Sequence, residues 1–189
     1  MLISMLYHQP QMIGTIVQHT PAWVGALLAA LIALGLSQVR SRSASLARTT
    51  LLPIAMTALS IWGIVGVFGR SPMFGYVMLT WMLVAAIGFA ALGMTNAPRG
   101  TTYDAASRSF HLPGSWLPLA IIVAIFFTRY IVNVDVAMNP MLARDSEYTL
   151  AVAAIYGLFT GVFLGRAARL WRLAAERTGR GFLLQGAAR

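Results

Sequence analysis

The chain has 189 residues, 58% of them hydrophobic and 10% charged, and a mean hydropathy of +0.72, a balance suited to a bilayer rather than to water. It has no cysteine, and its 14 basic residues are all arginine; this excludes disulfide frameworks, iron–sulfur ligation, thiol nucleophiles, Schiff-base lysines and a Walker-type phosphate lysine. The net charge of +9 would suggest nucleic acid in a soluble domain, but where the arginines fall relative to apolar runs accounts for most of it, so the expected partners are membrane lipids and no nucleic acid.

Residues 1–19 mix apolar side chains (Leu2, Ile3, Leu6) with an interruption at His8-Gln9-Pro10-Gln11. The run is too short to span, so Gln11 to Gln18 reads as a short interfacial helix on the outer face; with no basic start, it does not read as a signal peptide. Crossing the hydrocarbon takes about 20 apolar residues, and five runs qualify: 20–39, 50–69, 73–95, 115–138 and 148–171. Thr20 offers an N-cap with Pro21 at the first helical position, and Pro53 and Pro118 fall in the first turns of their helices, where a missing N–H costs little. The expected fold is an all-α membrane protein, a single domain forming a five-transmembrane-helix bundle.

The link Arg70-Ser71-Pro72 is so short that the second and third helices are expected to be antiparallel neighbours. Between the third and fourth, Thr101 to Leu112 alternates weakly around a polar turn and reads as a small cytoplasmic β-hairpin. It ends in Pro113-Gly114-Ser115, with Ser115 capping the fourth helix and Trp116 at the interface. Orientation follows from charge. Arg40, Arg42, Arg48, Arg99, Arg108 and the arginines from Arg166 onward fall on one side, against Arg70 and Arg144 on the other. That bias places the amino terminus outside and the carboxyl terminus inside.

Small residues recur every fourth position on three helices: Gly157, Gly161 and Gly165 in the last, Gly25, Ala29, Ala33 and Ser37 in the first, and more weakly Ala120, Ala124 and Thr128 in the fourth. Such stripes let backbones approach closely; packing within the bundle is the first expectation, and a homo-oligomer through the last helix the second. Arg166, Arg169, Arg172 and Arg177 continue that helix as a basic face expected to meet anionic lipid headgroups on the cytoplasmic side.

Arg129 is the residue that most invites function. It stands deep in the fourth span, where a charge costs roughly 2.5–3.5 kcal/mol or more, so it should face protein or water. Asn133 lies one turn on and shares its face; Tyr130 adjoins it, whereas Asp135 points well round the helix. With His19 at the outer face, these five form the candidate ligand-binding set. The other reading of Arg129 is structural, as a lock on the bundle. His and carboxylate spacings specify no metal, no cofactor is called for, and hydrolase and nucleotide motifs are absent. No catalytic residues are therefore assigned, and an enzyme is the less favoured class.

Several segments together resemble an uncharacterised family of bacterial multi-pass integral membrane proteins: His19-Thr20-Pro21-Ala22-Trp23-Val24, Leu51-Leu52-Pro53, Tyr103-Asp104, Phe110 through Leu119 with its Pro-Gly-Ser-Trp centre, and Phe126-Phe127-Thr128-Arg129-Tyr130. Helix order also resembles, faintly, the CcdC-type membrane proteins of cytochrome c biogenesis, without any thiol role here. The resemblance implies a bacterial inner-membrane location and draws attention to His19, Asp104, His111, Ser115 and Arg129. The function expected is a binding or accessory membrane protein with a polar pocket around Arg129. Rivals are a small oligomeric transporter or channel with Arg129 on an anion or proton path, and a membrane enzyme acting on a lipid-soluble substrate.

Overall fold

A computed structural model of the chain describes the backbone of residues 21–186 except Ala105, Ala106 and Arg108, and the side chains of these except Leu52 and those from 177 on. The expected interfacial helix, His19, the tip of the hairpin and the Arg177 side chain lie outside the described residues. The elements in order are α1 (Ala22–Leu36), β1 (Arg42–Ser45), α2 (Leu46–Phe68), α3 (Phe74–Gly93), β2 (Thr102–Asp104), β3 (Ser109–Leu112), α4 (Leu117–Met138), a 3-10 turn (Pro140–Arg144) and α5 (Ser146–Gly186).

Four helices are long and apolar enough to cross a membrane: α2, α3, α4 and the Ser146–Glu176 part of α5. The first expected span is shorter than its apolar run. Helix α1 has 15 residues, about 22 Å at about 1.5 Å per residue, against a hydrocarbon core of about 30 Å. It stops because Ser37 turns back on it, its hydroxyl donating to the Leu34 carbonyl at 2.6 Å and its amide to the Ala33 carbonyl at 3.0 Å, while the next amide, Gln38, donates to the Gly35 carbonyl at 3.0 Å. Helix α2 errs the other way. Ser45 caps it by accepting from the Arg48 amide at 3.3 Å, so it begins at Leu46 and Pro53 lies inside it rather than in its first turn. Large apolar side chains such as Trp62, 77% exposed, and Ile87, 67% exposed, point outward from the middle of α2 and α3, a surface that suits lipid and not water.

The core gathers Ile64 and Phe68 of α2, Val77 and Trp81 of α3, Val132 of α4, and Val152, Ala153 and Tyr156 of α5. The short link after α2 leads to the expectation that α2 and α3 are antiparallel neighbours; their side chains do meet, the Trp81 indole donating to Ser60 Oγ, but each takes α5 as its main helical neighbour. The reason is side-chain size. Phe68, Ile64 and Trp81 fill the space between α2 and α3, whereas the α5 glycines let the α3 backbone come close: Gly161 faces Ala85, Gly88 and Phe89, Gly157 faces Trp81, and Gly165 faces Leu92 and Gly93.

Helix α1 stands apart from that cluster and packs chiefly on α4. Gly35 meets Leu119 there, so tightly that a Cβ at 35 would strike its side chain and backbone. The α1 stripe itself, Gly25, Ala29 and Ala33, is not the contact: all three are exposed, and nothing lies within 4 Å of a Cβ placed at Gly25.

At one end of the bundle the three strands form a single sheet in the order β1-β3-β2. Strands β2 and β3 pair antiparallel, with Tyr103 opposite Phe110 and their rings 4.8 Å apart. A turn with Gly100 at φ 84° delivers the chain into β2, closed by the Thr101 amide on the Pro98 carbonyl at 3.0 Å; that φ is one which glycine adopts without strain. The sequence reading missed β1, because Arg-Ser-Ala-Ser carries no apolar alternation. It is held by pairing with β3 and by Ala44 opposite the fully buried Phe110. The Pro-Gly-Ser-Trp stretch has a packing reason. A Cβ on Gly114 would overlap the Val39 carbonyl, and the next amide, Ser115, donates to the Gln38 carbonyl at 3.1 Å. The Ser115 hydroxyl then accepts from the Leu117 amide at 3.2 Å, at the start of α4.

Candidate functional site

Because α1 leans chiefly on α4, a cleft opens between α1 on one side and α2 and α5 on the other, with α4 as its floor. Its volume is about 1020 Å³, at the upper end of ordinary ligand sites. The walls are apolar: Leu27 and Leu31 of α1, Met56 and Leu59 of α2, Ile122 and Phe126 of α4, Phe159 and Phe163 of α5. Into it face a few polar groups, Arg129, Tyr130 and Asn133 from α4, Ser60 from α2, and Tyr156 and Thr160 from α5.

Arg129 is seated by its neighbours. Its guanidinium lies against α2 at Gly63, which has no side chain to block it and where an added Cβ would stand 3.1 Å from Nη2. It shares a side-chain hydrogen bond with the Tyr156 hydroxyl of α5, so one cation on α4 touches both neighbouring helices. A guanidinium carries five N–H donors in a fixed fork, more than one phenol can satisfy. Asn133 turns its amide back on its own helix, donating from Nδ2 to the Arg129 carbonyl at 2.7 Å. Tyr130 lies nearly parallel to Phe126, the rings 6.3 Å apart.

Beside this cation is a small hydroxyl network. The Trp81 indole donates to Ser60 Oγ at 3.1 Å; the Thr160 hydroxyl lies 3.1 Å from the same oxygen and 2.9 Å from the Tyr156 carbonyl. These bonds tie α2, α3 and α5 together, satisfying polar groups that would otherwise be stranded in an apolar bundle.

Of the residues singled out from sequence, Arg129, Tyr130 and Asn133 line one cleft. Asp135 does not line it: it is 5% exposed and receives the Tyr148 hydroxyl at 3.4 Å. Tyr156, Ser60, Thr160 and Gly63 were missed. Their only sequence signal was polarity or smallness inside an apolar run, and nothing local says that Ser60, Tyr156 and Thr160 share a cleft with Arg129 or that Gly63 lies against it. The glycines at 157, 161 and 165 are occupied by α3 of the same chain. Among the C-terminal arginines, Arg172 is exposed and donates from Nη2 to the Thr95 carbonyl at 2.6 Å, and Arg166 is turned inward, with Nη1 buried. Among the described residues, no group of three or more His, Cys, Asp or Glu comes together.

No curated protein and no solved structure matches this chain. The DUF6622 family, a family of unknown function, matches it over residues 1–180, and the chain belongs to that family.

Proposed function

We propose that this is a multi-pass protein of the bacterial inner membrane, acting as a binding or accessory protein that holds a lipid-soluble molecule with an acidic or hydrogen-bond-accepting head beside Arg129. The observation that carries the reading is the cleft itself: about 1020 Å³, walled by leucines and phenylalanines, with one guanidinium part-way along it. A charge placed so deep costs roughly 2.5–3.5 kcal/mol or more, and a bound acidic head would offset that cost where the Tyr156 hydroxyl does so only in part. The open side between α1 and the α2–α5 pair favours entry from the lipid phase. Four membrane-length apolar helices support the location, and the arginine distribution supports five spans with the amino terminus outside, α1 being the short one.

The test uses the full chain in a neutral maltoside detergent with a fluorescent long-chain fatty acid, cis-parinaric acid, as probe. Saturable binding, displaced by palmitate, is expected for the wild type. Arg129→Gln should weaken it about tenfold or more, because a hydrogen bond to a charged group is worth about 1.5–3 kcal/mol, while the circular dichroism stays unchanged. Equal binding by both proteins refutes the reading. A ligand-free oligomer that conducts ions in planar bilayers replaces it with the channel alternative.

A further inference from the structure

Where α3 ends, the glycine seam that draws it onto α5 opens into a groove of about 500 Å³. Its small lining residues are Ala90 and Gly93 of α3 and Ala168 of α5. A Cβ at Gly93 would stand 3.7 Å from the Ala168 Cβ and 3.8 Å from Gly165 Cα, so the two helices close the floor between them. Phe89 and Trp171, one from each helix, give it aromatic walls. Among the described residues, Arg172 is the only charged residue that lines it. Its side chain is exposed, and Nη2 donates to the Thr95 carbonyl at 2.6 Å, which holds the guanidinium at the end of α3. That contact leaves most of the five N–H donors of the fork for another acceptor. Glu176, one turn on, is exposed and does not line the groove.

Helix length sets the level of this groove in a bilayer. Helix α3 stops at Gly93 and the membrane-length part of α5 at Glu176. Trp171 and Arg172 therefore fall where hydrocarbon gives way to headgroups, the depth at which such side chains are favoured. From that level the lining residues run back along α5 from 175 to 168, about 10 Å at about 1.5 Å per residue. A cation at headgroup level, joined to an apolar trough leading into the hydrocarbon, is complementary to an amphiphile with a negative head and a chain. A soluble anion would make no use of the trough, and an apolar partner helix would give the guanidinium no counter-charge. A phosphate does, because its oxygens match a guanidinium fork in pairs. We infer that the groove binds one anionic phospholipid, its phosphate on Arg172 and the first part of one acyl chain along Ala90, Gly93 and Ala168. This goes beyond a diffuse basic face, since it names one arginine, one groove and one lipid. It rests on the reading of the chain as a membrane protein and is independent of the Arg129 cleft.

The experiment is native mass spectrometry of the full chain released from nanodiscs of equal parts phosphatidylcholine and phosphatidylglycerol with matched acyl chains. The wild type should retain one phosphatidylglycerol in preference to phosphatidylcholine. Arg172→Gln should lower that preference about tenfold or more, the worth of hydrogen bonds to a charged group. Ala90→Leu keeps every charge but fills the groove from an exposed position, and should lower retention of the lipid about fivefold or more. Arg48→Gln removes the same charge from an exposed arginine in the first turn of α2, outside the groove, and should change retention less than about threefold. Should Arg172→Gln not fold by circular dichroism, Ala90→Leu carries the comparison. The inference is overturned if the wild type shows no preference, if Arg48→Gln is as damaging as Arg172→Gln, or if Ala90→Leu retains the lipid like the wild type. Carbonate extraction of the wild type separates the two readings. A chain released from membranes refutes the membrane location itself, whereas a chain that stays there without preferring phosphatidylglycerol refutes only this site.

Discussion

Replacing Gly161 probes what holds the bundle together, and its cost can be worked from the geometry. A Cβ at 161 would sit 3.0 Å from both Gly88 Cα and Phe89 N, and closer still to the Ala85 carbonyl oxygen. All of these are backbone atoms of α3, which no rotamer change can move. Ordinary contact begins near 3.4 Å, so α3 and α5 must part by up to about 1 Å, and a gap of that size forfeits about a quarter to a half of each dispersion contact along the seam. Gly161→Ala should therefore cost about 1–3 kcal/mol, and Gly161→Leu about 3 kcal/mol or more. In a bilayer no hydrophobic term compensates, since lipid tails are as apolar as leucine. Gly25→Leu is the control, because nothing lies within 4 Å of its Cβ; it should change stability by less than about 0.5 kcal/mol. Unfolding in a graded sodium dodecyl sulfate titration, followed by circular dichroism, gives the stabilities, and native mass spectrometry gives the subunit count. If Gly161→Leu keeps wild-type stability but loses an oligomer, the stripe joins chains rather than helices of one chain. If Gly25→Leu is equally damaging, the contact argument fails altogether.

Gly114→Ala should cost about 1–3 kcal/mol in the same titration, because its Cβ overlaps the Val39 carbonyl; a neutral result would mean that the α1–α4 junction can shift freely. Ser60→Ala removes the acceptor for the Trp81 indole and should cost about 0.6 and at most about 1.7 kcal/mol, with a shift of tryptophan emission marking the lost bond. Gly63→Val crowds the Arg129 guanidinium, already 3.1 Å from a modest Cβ, and should reproduce the binding loss of Arg129→Gln in the parinaric acid assay without removing the charge. Deleting residues 1–10 should leave membrane insertion intact, checked by carbonate extraction of membranes; extraction of the shortened chain would disprove the reading of that segment as interfacial.

Composition alone makes the chain mostly apolar helix, and it marks Arg129 as a cost needing a reason, because burial of charge is expensive wherever the helix goes. The stripe at 157, 161 and 165 was equally legible as a place of close approach, since spacing by four puts the three glycines on one face. Which helix would fill that face was not legible: it depends on Ala85, Gly88 and Gly93 of α3 being small where the α5 glycines are absent of side chains. The same limit explains β1. A four-residue segment without apolar alternation becomes a strand only because β3 offers it unpaired backbone and Phe110 needs covering. Local sequence also could not bound α1 or α2, since a serine after an apolar run ends the first and a serine before one begins the second. The cleft belongs wholly to tertiary structure. Its existence depends on α1 resting on α4 through Gly35 and Leu119 and not closing on α2 and α5; that is a matter of helix packing, decided between residues far apart in the chain. Arg129 announced itself, but Gly63, Tyr156, Ser60 and Thr160 took their meaning only from where the neighbouring helices put them.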